Sequence, residues 1–337
     1  MAEFAPLVRS LSLSARPGRK HDTGSKRVTE LSTHFLSSGD LIADRRFEWA
    51  RDCEAKGDLR GAAGLLRQAL DLTPGYASAW FALGEIREKL GDRAGAIEAF
   101  GKARAADADD RHGAAVHLMR LGAIPAQAMP AAYLRALFDH YAPAFESALL
   151  EGLNYRAPQL LLAAVEKAGS GRPRIGSLLD LGCGTGLSGA AFRPYCDWLV
   201  GVALSPGMIA QARGKGLYDR LIEGDMSQFL AGEAAARASY HLILAADVFV
   251  YAADLAPLLQ AAARVLAPSG HIAFSCETHD GAGVLLRETL RYAHGAAHVR
   301  AAIAGSGLRL LGLDAASTRT EKGRPVESLV IVAARAI

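Results

Sequence analysis

The sequence predicts two folds in series: an all-α helical repeat, then an α/β domain whose parallel sheet carries one antiparallel C-terminal strand. Three observations predict this. A 34-residue period of small and apolar residues runs through the first third of the chain. A short apolar run, Ser177-Leu178-Leu179-Asp180-Leu181, passes straight into Gly182-Cys183-Gly184-Thr185-Gly186 and then into a helical stretch. Two apolar segments near the C-terminus, 308–316 and 327–335, read as a closing hairpin.

Composition bounds the rest. The 337 residues are 50% hydrophobic and 22% charged, with 35 glycines and a net charge of +3. That is too apolar for a disordered chain and too aperiodic in glycine for a fibre. The most apolar stretch, around Leu258 to Leu266, is broken by Gln260 and Arg264, so no membrane span is expected. Residues 1–36 hold six of the 38 basic and three of the 35 acidic residues, leaving 32 of each in the remainder. A body of zero net charge gives no basic face for nucleic acid. The arm, rich in Ser and Arg, has a transit-like composition, though Arg16-Pro17-Gly18-Arg19 is hostile to a helix. Cys53, Cys183, Cys196 and Cys276 fall at no metal-ligand or disulfide-framework spacing, so reduced thiols, a cytoplasmic protein and no metal are expected.

The repeat aligns Gly57 with Gly91, Ala62 with Ala96, Leu66 with Phe100 and Ala69 with Ala103; only Pro74 against Ala108 matches poorly. Small residues let antiparallel helices approach, and Leu66 and Phe100 fill the space between them. With Trp80-x-x-Leu83-Gly84 opening the second copy, the segment resembles the tetratricopeptide repeat. Two copies and a half-copy (111–121) are near the minimum for a stack. Such arrays dock protein partners; packing on a neighbour, or homodimerisation, is the alternative use. A connecting segment follows. Tyr133 to Leu150 has helical periodicity, with Leu134, Leu137, Phe138, Tyr141 and Phe145 on one face, and Pro158 to Ala168 reads as another helix. Ser170-Gly171-Arg172-Pro173 reads as a linker. The expected organisation is therefore an arm at 1–36, the repeat at 37–124, connecting helices at 125–172 and a cofactor domain at 173–337.

Strand, glycine loop and helix together present backbone N–H groups at the carboxyl end of the first strand of a parallel sheet. Two ligands compete for the loop. Gly184-Thr185-Gly186-Leu187-Ser188-Gly189 spells the dinucleotide pattern GxGxxG. Read one glycine earlier, Asp180-x-Gly182-x-Gly184-x-Gly186 is the loop of S-adenosylmethionine (SAM) methyltransferases. An acid at Asp180 suits a cationic ligand and opposes a pyrophosphate. Gly182 follows the strand at once, and the closing hairpin breaks the all-parallel pattern usual in dinucleotide domains. These favour SAM, with a nicotinamide dehydrogenase as runner-up.

The remaining elements follow in order. Trp198 to Val202 is strand two, followed by Leu204-Ser205-Pro206 at a helix start. Leu221 to Glu223 is strand three, before Gly224-Asp225-Met226. Leu242 to Ala245 is strand four, before Ala246-Asp247-Val248, and Pro268-Ser269-Gly270 turns into strand five, His271 to Cys276. From about residue 133 onward the chain resembles class I, Rossmann-like SAM-dependent methyltransferases. From Ser37-Ser38-Gly39-Asp40 onward, with Tyr141-Ala142-Pro143 and Tyr292-Ala293-His294, it resembles the bacterial methyltransferases that carry tetratricopeptide repeats.

The resemblance implies S-adenosyl-L-methionine as cofactor, with Gly182, Cys183, Gly184 and Gly186 along its methionine and ribose and Asp180 at its amino end. It implies Asp225 on the adenine amino group, Met226 and Met208 on the two adenine faces, and Asp247 where the methyl group leaves. Tyr141, with Phe145, is expected to form a lid. The family ends strand two with an acid on the ribose hydroxyls. Here that place is Ala203, followed by Leu204, and weaker cofactor binding is expected. His279 and His294 are candidate bases, because histidine titrates near neutrality. The expected acceptor is oxygen of a small hydroxyl or carboxyl compound, with a protein acceptor as second choice. The non-enzyme alternative is a repeat-based interaction protein whose cofactor site has degenerated.

Overall fold

A computed structural model describes residues 36–169 and 174–336. The expected linker, and all of the expected arm except Leu36, lie outside the described residues. The chain divides into two compact units, one ending at Ala136 and the other beginning at Leu137. The expected connecting segment is thereby split, its part from 137 onward going with the sheet.

The first unit is a run of antiparallel helices: α1 (Leu41–Ala55), α2 (Leu59–Leu72), α3 (Ala77–Lys89), α4 (Arg93–Ala106) and α5 (Ala114–Arg120). The 34-residue period is physical as well as textual. Gly57 and Gly91 both take left-handed φ at the inter-helix turns. One residue later, Asp58 and Asp92 cap α2 and α4, accepting from Gly61 N at 2.8 Å and Gly95 N at 2.9 Å. Ala62, Leu66 and Ala69, and in the next copy Ala96, Phe100 and Ala103, are all buried. Gly84 is glycine for packing, since a Cβ there would stand 2.6 Å from the Phe100 ring.

The second unit opens with the end of α6 (Ala131–Tyr141). The single helix expected to reach Leu150 is broken. Pro143, which lacks an N–H, sits in a 3-10 turn over Ala142–Ala144, and a wide turn at Ala148–Gly152 ends the segment. α7 (Ala157–Ala168) leads to the sheet. Its strands are β1 (Ile175–Leu181), β2 (Cys196–Ala203), β3 (Arg220–Glu223), β4 (Tyr240–Ala245), β5 (Leu266–Glu277), β6 (Val284–Leu286), β7 (Tyr292–His294), β8 (Leu308–Glu321) and β9 (Arg324–Arg335). Between them run α8 (Leu187–Phe192), α9 (Pro206–Gly214), α10 (Met226–Ala235), α11 (Ala256–Val265) and α12 (Ala296–Ala304).

β3, β2, β1, β4 and β5 lie side by side in parallel, as expected, and β9 then pairs antiparallel with β5 and carries β8 on its far edge. Both faces are apolar. Leu179, Ile243, Phe274 and Ile331 enter one core, while Leu178, Leu242, Ala273 and Val330 enter the other. The β8–β9 hairpin is longer than expected. Lys322 and Gly323 both take left-handed φ in a two-residue turn, and strand pairing continues to Glu321↔Arg324. The turn expected at 268–270 is instead an irregularity inside β5: Leu266 pairs with Tyr240, and pairing resumes at His271↔Leu242. β6 and β7 were absent from the sequence reading. Glu277 pairs with Ser328 of β9 on one edge and Ala293 of β7 on the other, so β7 takes up the β4 side of β5 beyond the end of β4.

Candidate active site

The site is built on the carboxyl ends of β1, β2 and β4. The three loop glycines all adopt left-handed φ, +69° at Gly182, +53° at Gly184 and +92° at Gly186. They serve different neighbours. A Cβ on Gly182 would overlap Val248 Cγ2, whereas nothing but the Phe145 ring edge, 3.9 Å away, and the loop's own Gly182 carbonyl oxygen approaches the corresponding point on Gly184. The loop is pinned to β2 through Gly182 N and Cys183 N, which donate to the Val202 carbonyl at 2.8 and 3.0 Å. The Cys183 side chain is buried and packs with Ala203 and Ile209.

Under the loop lies Tyr218, which the sequence reading missed. Its hydroxyl donates to Asp180 Oδ2 at 2.7 Å, and its ring fills the space that Cβ atoms on Gly189 and Gly201 would need. The signal was Gly201 in mid-strand, since such a glycine often marks a close approach. Asp180 is 1% exposed. Burial pushes its carboxyl up to about 7, against the pull of the Tyr218 hydroxyl.

Phe145 reaches this end of the sheet, its ring 3.9 Å from the point that a Cβ on Gly184 would take. Phe138 meets Phe145 at 6.2 Å and Tyr251, from the turn after β4, at 5.5 Å. Tyr141 is half-buried, and its phenol is raised by burial and by neighbouring Tyr251. Asp139 fastens the segment: its Oδ1 accepts from Gly207 N at 3.0 Å and from the Ser205 hydroxyl, which itself caps α9 through Met208 N at 3.0 Å. Lys215 pairs with Glu146 on the same side. Asp139 is thus a second cap on α9, delivered from a distant part of the chain.

Asp225 caps α10, accepting from Ser227 N at 2.9 Å and Gln228 N at 3.0 Å through Oδ1 alone. Met226 packs against the core and Met208 is 2% exposed, so both are chiefly core methionines; half-buried Leu204 is the more open neighbour of that turn. Ala203 closes β2, in register with Glu223 of β3.

Asp247 is held by several donors. It stands at the end of β4, at a left-handed φ of +52°, but its carboxylate is fully engaged. The Ser275 hydroxyl donates to Oδ1 at 2.6 Å, and Thr318 Oγ1 and Arg319 Nη1 each donate to Oδ2 at 2.9 Å. Arg319 also pairs with Glu277 and Glu321, and Arg291 joins the same two acids. Burial works against the Arg319 charge, but Asp247, Glu277 and Glu321 outweigh it and hold the guanidinium charged. Asp247 therefore ties β4 to β5 and β8.

The two candidate bases differ in their surroundings. His294 on β7 has no exposed surface, and burial, with stacked His298 beside it, pushes its pKa down to about 4. A base must reach the proton it removes, and His294 is sealed from solvent. His279 is folded into its own loop, accepting from Gly281 N at 3.1 Å on Nδ1, with Nε2 3.4 Å from the Gly283 carbonyl. Tyr155 and Tyr251 stand within electrostatic reach of Asp247 and Arg319. Burial, then Asp247, pushes the Tyr155 phenol well up, and it also feels Arg319 and Asp180. Burial likewise raises Tyr251, against Arg291 and Arg319. Both hydroxyls remain protonated near neutrality, as hydrogen-bond donors.

The chain is similar to several known proteins. Residues 179–274 match the family described as "Methyltransferase domain", and residues 55–118 match "Tetratricopeptide repeat". Human methyltransferase-like protein 27 is 42% identical over 85 residues, which is 25% of this chain and 34% of that protein. The match thus spans about a third of the curated relative. Among solved structures, the N-methyltransferase NodS from Bradyrhizobium japonicum WM9, in complex with S-adenosyl-L-homocysteine, is 20% identical with a TM-score of 0.42, covering 53% of this chain and 85% of that one. A SAM-dependent methyltransferase from Clostridium acetobutylicum is 17% identical with a TM-score of 0.43, covering 58% and 96%. Residues 179–274 are thus similar to a methyltransferase domain, and residues 55–118 to tetratricopeptide repeats.

Proposed function

We propose that the second unit is a SAM-dependent methyltransferase. The observation that carries this reading is the loop of three left-handed glycines at the end of β1, above a buried acid, in a sheet that β9 closes antiparallel. The residues fit the cofactor. The space at Gly184 is open, Thr185 Oγ1 in the same loop is buried without a hydrogen-bond partner, and a cation would suit the strained Asp180 carboxyl. Asp225 keeps Oδ2 for an adenine amino group, while Leu204 flanks the ring. When bound, SAM supplies an electrophilic methyl group to a nucleophile held in line with it.

The chain's own contribution is enclosure and orientation. Phe138, Tyr141 and Phe145 exclude water above the loop, and the Tyr155 and Tyr251 hydroxyls orient the acceptor by donating hydrogen bonds. Donors rather than a free base suit an acceptor that is already ionised, so within our reading of a small oxygen acceptor a carboxylate fits these residues, whereas a hydroxyl would need a base to take its proton. The repeat docks a protein partner, with self-association as the alternative. Four unbridged cysteines support a reducing, cytoplasmic setting. Isothermal titration with S-adenosylhomocysteine and with NADH tests the cofactor, and saturable binding of the first alone is expected. Methyl-labelled SAM incubated with extract then identifies the acceptor. Binding of NADH alone restores the dehydrogenase reading; binding of neither favours the repeat-based interaction protein.

A further inference from the structure

Ala203 leaves the ribose hydroxyls without the acid that ends β2 in related domains, and the sheet register shows what stands beside it. The β2–β3 pairing runs in parallel from Val200↔Arg220 to Ala203↔Glu223, and Gly224 N donates to the Ala203 carbonyl at 3.0 Å. Register partners in a parallel pair lie about 4.8 Å apart with side chains on the same face. The pleat confirms which face this is. Gly201 and Leu221, two residues earlier on each strand, meet the Tyr218 ring on the side where Cys183, Ala203 and Ile209 pack. Glu223 therefore projects from the next strand in the direction that an acid at 203 would take, with one more methylene of reach. It is solvent-exposed at the carboxyl edge of the sheet, between Ala203 and the Asp225 cap. Asp139, the other carboxylate near this turn, is committed through Oδ1 to Ser205 and Gly207.

We propose that Glu223 supplies the displaced ribose acid, its carboxylate accepting hydrogen bonds from the hydroxyls of a bound adenosyl ligand. This rests on the SAM reading above. The probes are S-adenosylhomocysteine and its 2′-deoxy analogue, titrated calorimetrically into the full chain. Glu223→Ala is expected to weaken S-adenosylhomocysteine by about ten- to a hundred-fold, the range for a charge-assisted pair to hydroxyls. It should also abolish the discrimination against the 2′-deoxy analogue that the natural chain shows. Adding Ala203→Asp to Glu223→Ala should restore most of the affinity. Thermal melting of both variants controls for folding, and an exposed strand-end residue should move it little. If Glu223→Ala binds S-adenosylhomocysteine as the natural chain does, or keeps the deoxy discrimination, Glu223 does not hold the ribose. If the natural chain binds no S-adenosylhomocysteine, the cofactor reading itself falls, and this proposal with it.

Discussion

Gly182 and Gly184 share a backbone conformation but not an environment, which makes them a sharp test of how the loop works. Alanine at either position must hold a left-handed φ, at about 1–2 kcal/mol. At Gly184 that is nearly the whole cost, because the new Cβ meets nothing closer than Phe145 at 3.9 Å. At Gly182 the Cβ overlaps Val248 Cγ2, adding about 1–3 kcal/mol of overpacking. For a unit of this size, about 1 kcal/mol is roughly 2–4 °C of melting temperature. Gly184→Ala should then lower the midpoint by about 2–8 °C and Gly182→Ala by about 4–20 °C. Val248→Ala should return part of the Gly182→Ala loss and none of the Gly184→Ala loss. Binding should rank the other way once normalised for folding, with Gly184→Ala removing S-adenosylhomocysteine affinity from a still-folded domain. Equal melting losses for the two variants, or no rescue by Val248→Ala, would refute the division of roles.

Asp180, raised to about 7, must ionise to hold a cationic amino group, so S-adenosylhomocysteine affinity should rise up to about tenfold per pH unit below pH 7 and level off above it. Calorimetry should show the slope shifted to higher pH in Tyr218→Phe, which loses the hydrogen bond favouring the carboxylate, and absent in Asp180→Asn. The same burial makes Asp180's contribution to stability whole below its unfolded value near 3.8 and lost as pH rises through about 7. Asp180→Asn should therefore gain on the natural chain in melting temperature as pH rises from about 4 to about 7, and keep that gain above it. Arg319→Met leaves Asp247 without its cation and Glu277 and Glu321 sharing Arg291, and should cost about 3–5 kcal/mol in urea denaturation. A loss under about 1 kcal/mol would mean that solvent already screens the network. In the repeat, Gly84→Ala should cost about 1–3 kcal/mol by pressing on the Phe100 ring, and Phe100→Leu in the same chain should recover part of it by circular dichroism melting.

Local, repeating requirements were legible in the sequence. The 34-residue period appears as paired left-handed glycines and aspartate caps, because each copy solves the same turn within a few residues. The glycine loop and the alternation in β9 could be read because backbone conformation and two-sided burial constrain neighbouring positions directly. What depended on residues distant in the chain was not legible. Tyr218 reaches Asp180 across 38 residues and Arg319 reaches Asp247 across 72. The β6–β7 strands that bury His294 form in a glycine-rich stretch with little periodicity. Asp247 and His294 have chemically apt side chains, and only packing decided that one is saturated by donors and the other sealed from solvent. The vacancy at Ala203 could be seen in the sequence, but the strand register, a property of two segments at once, is what places Glu223 beside it.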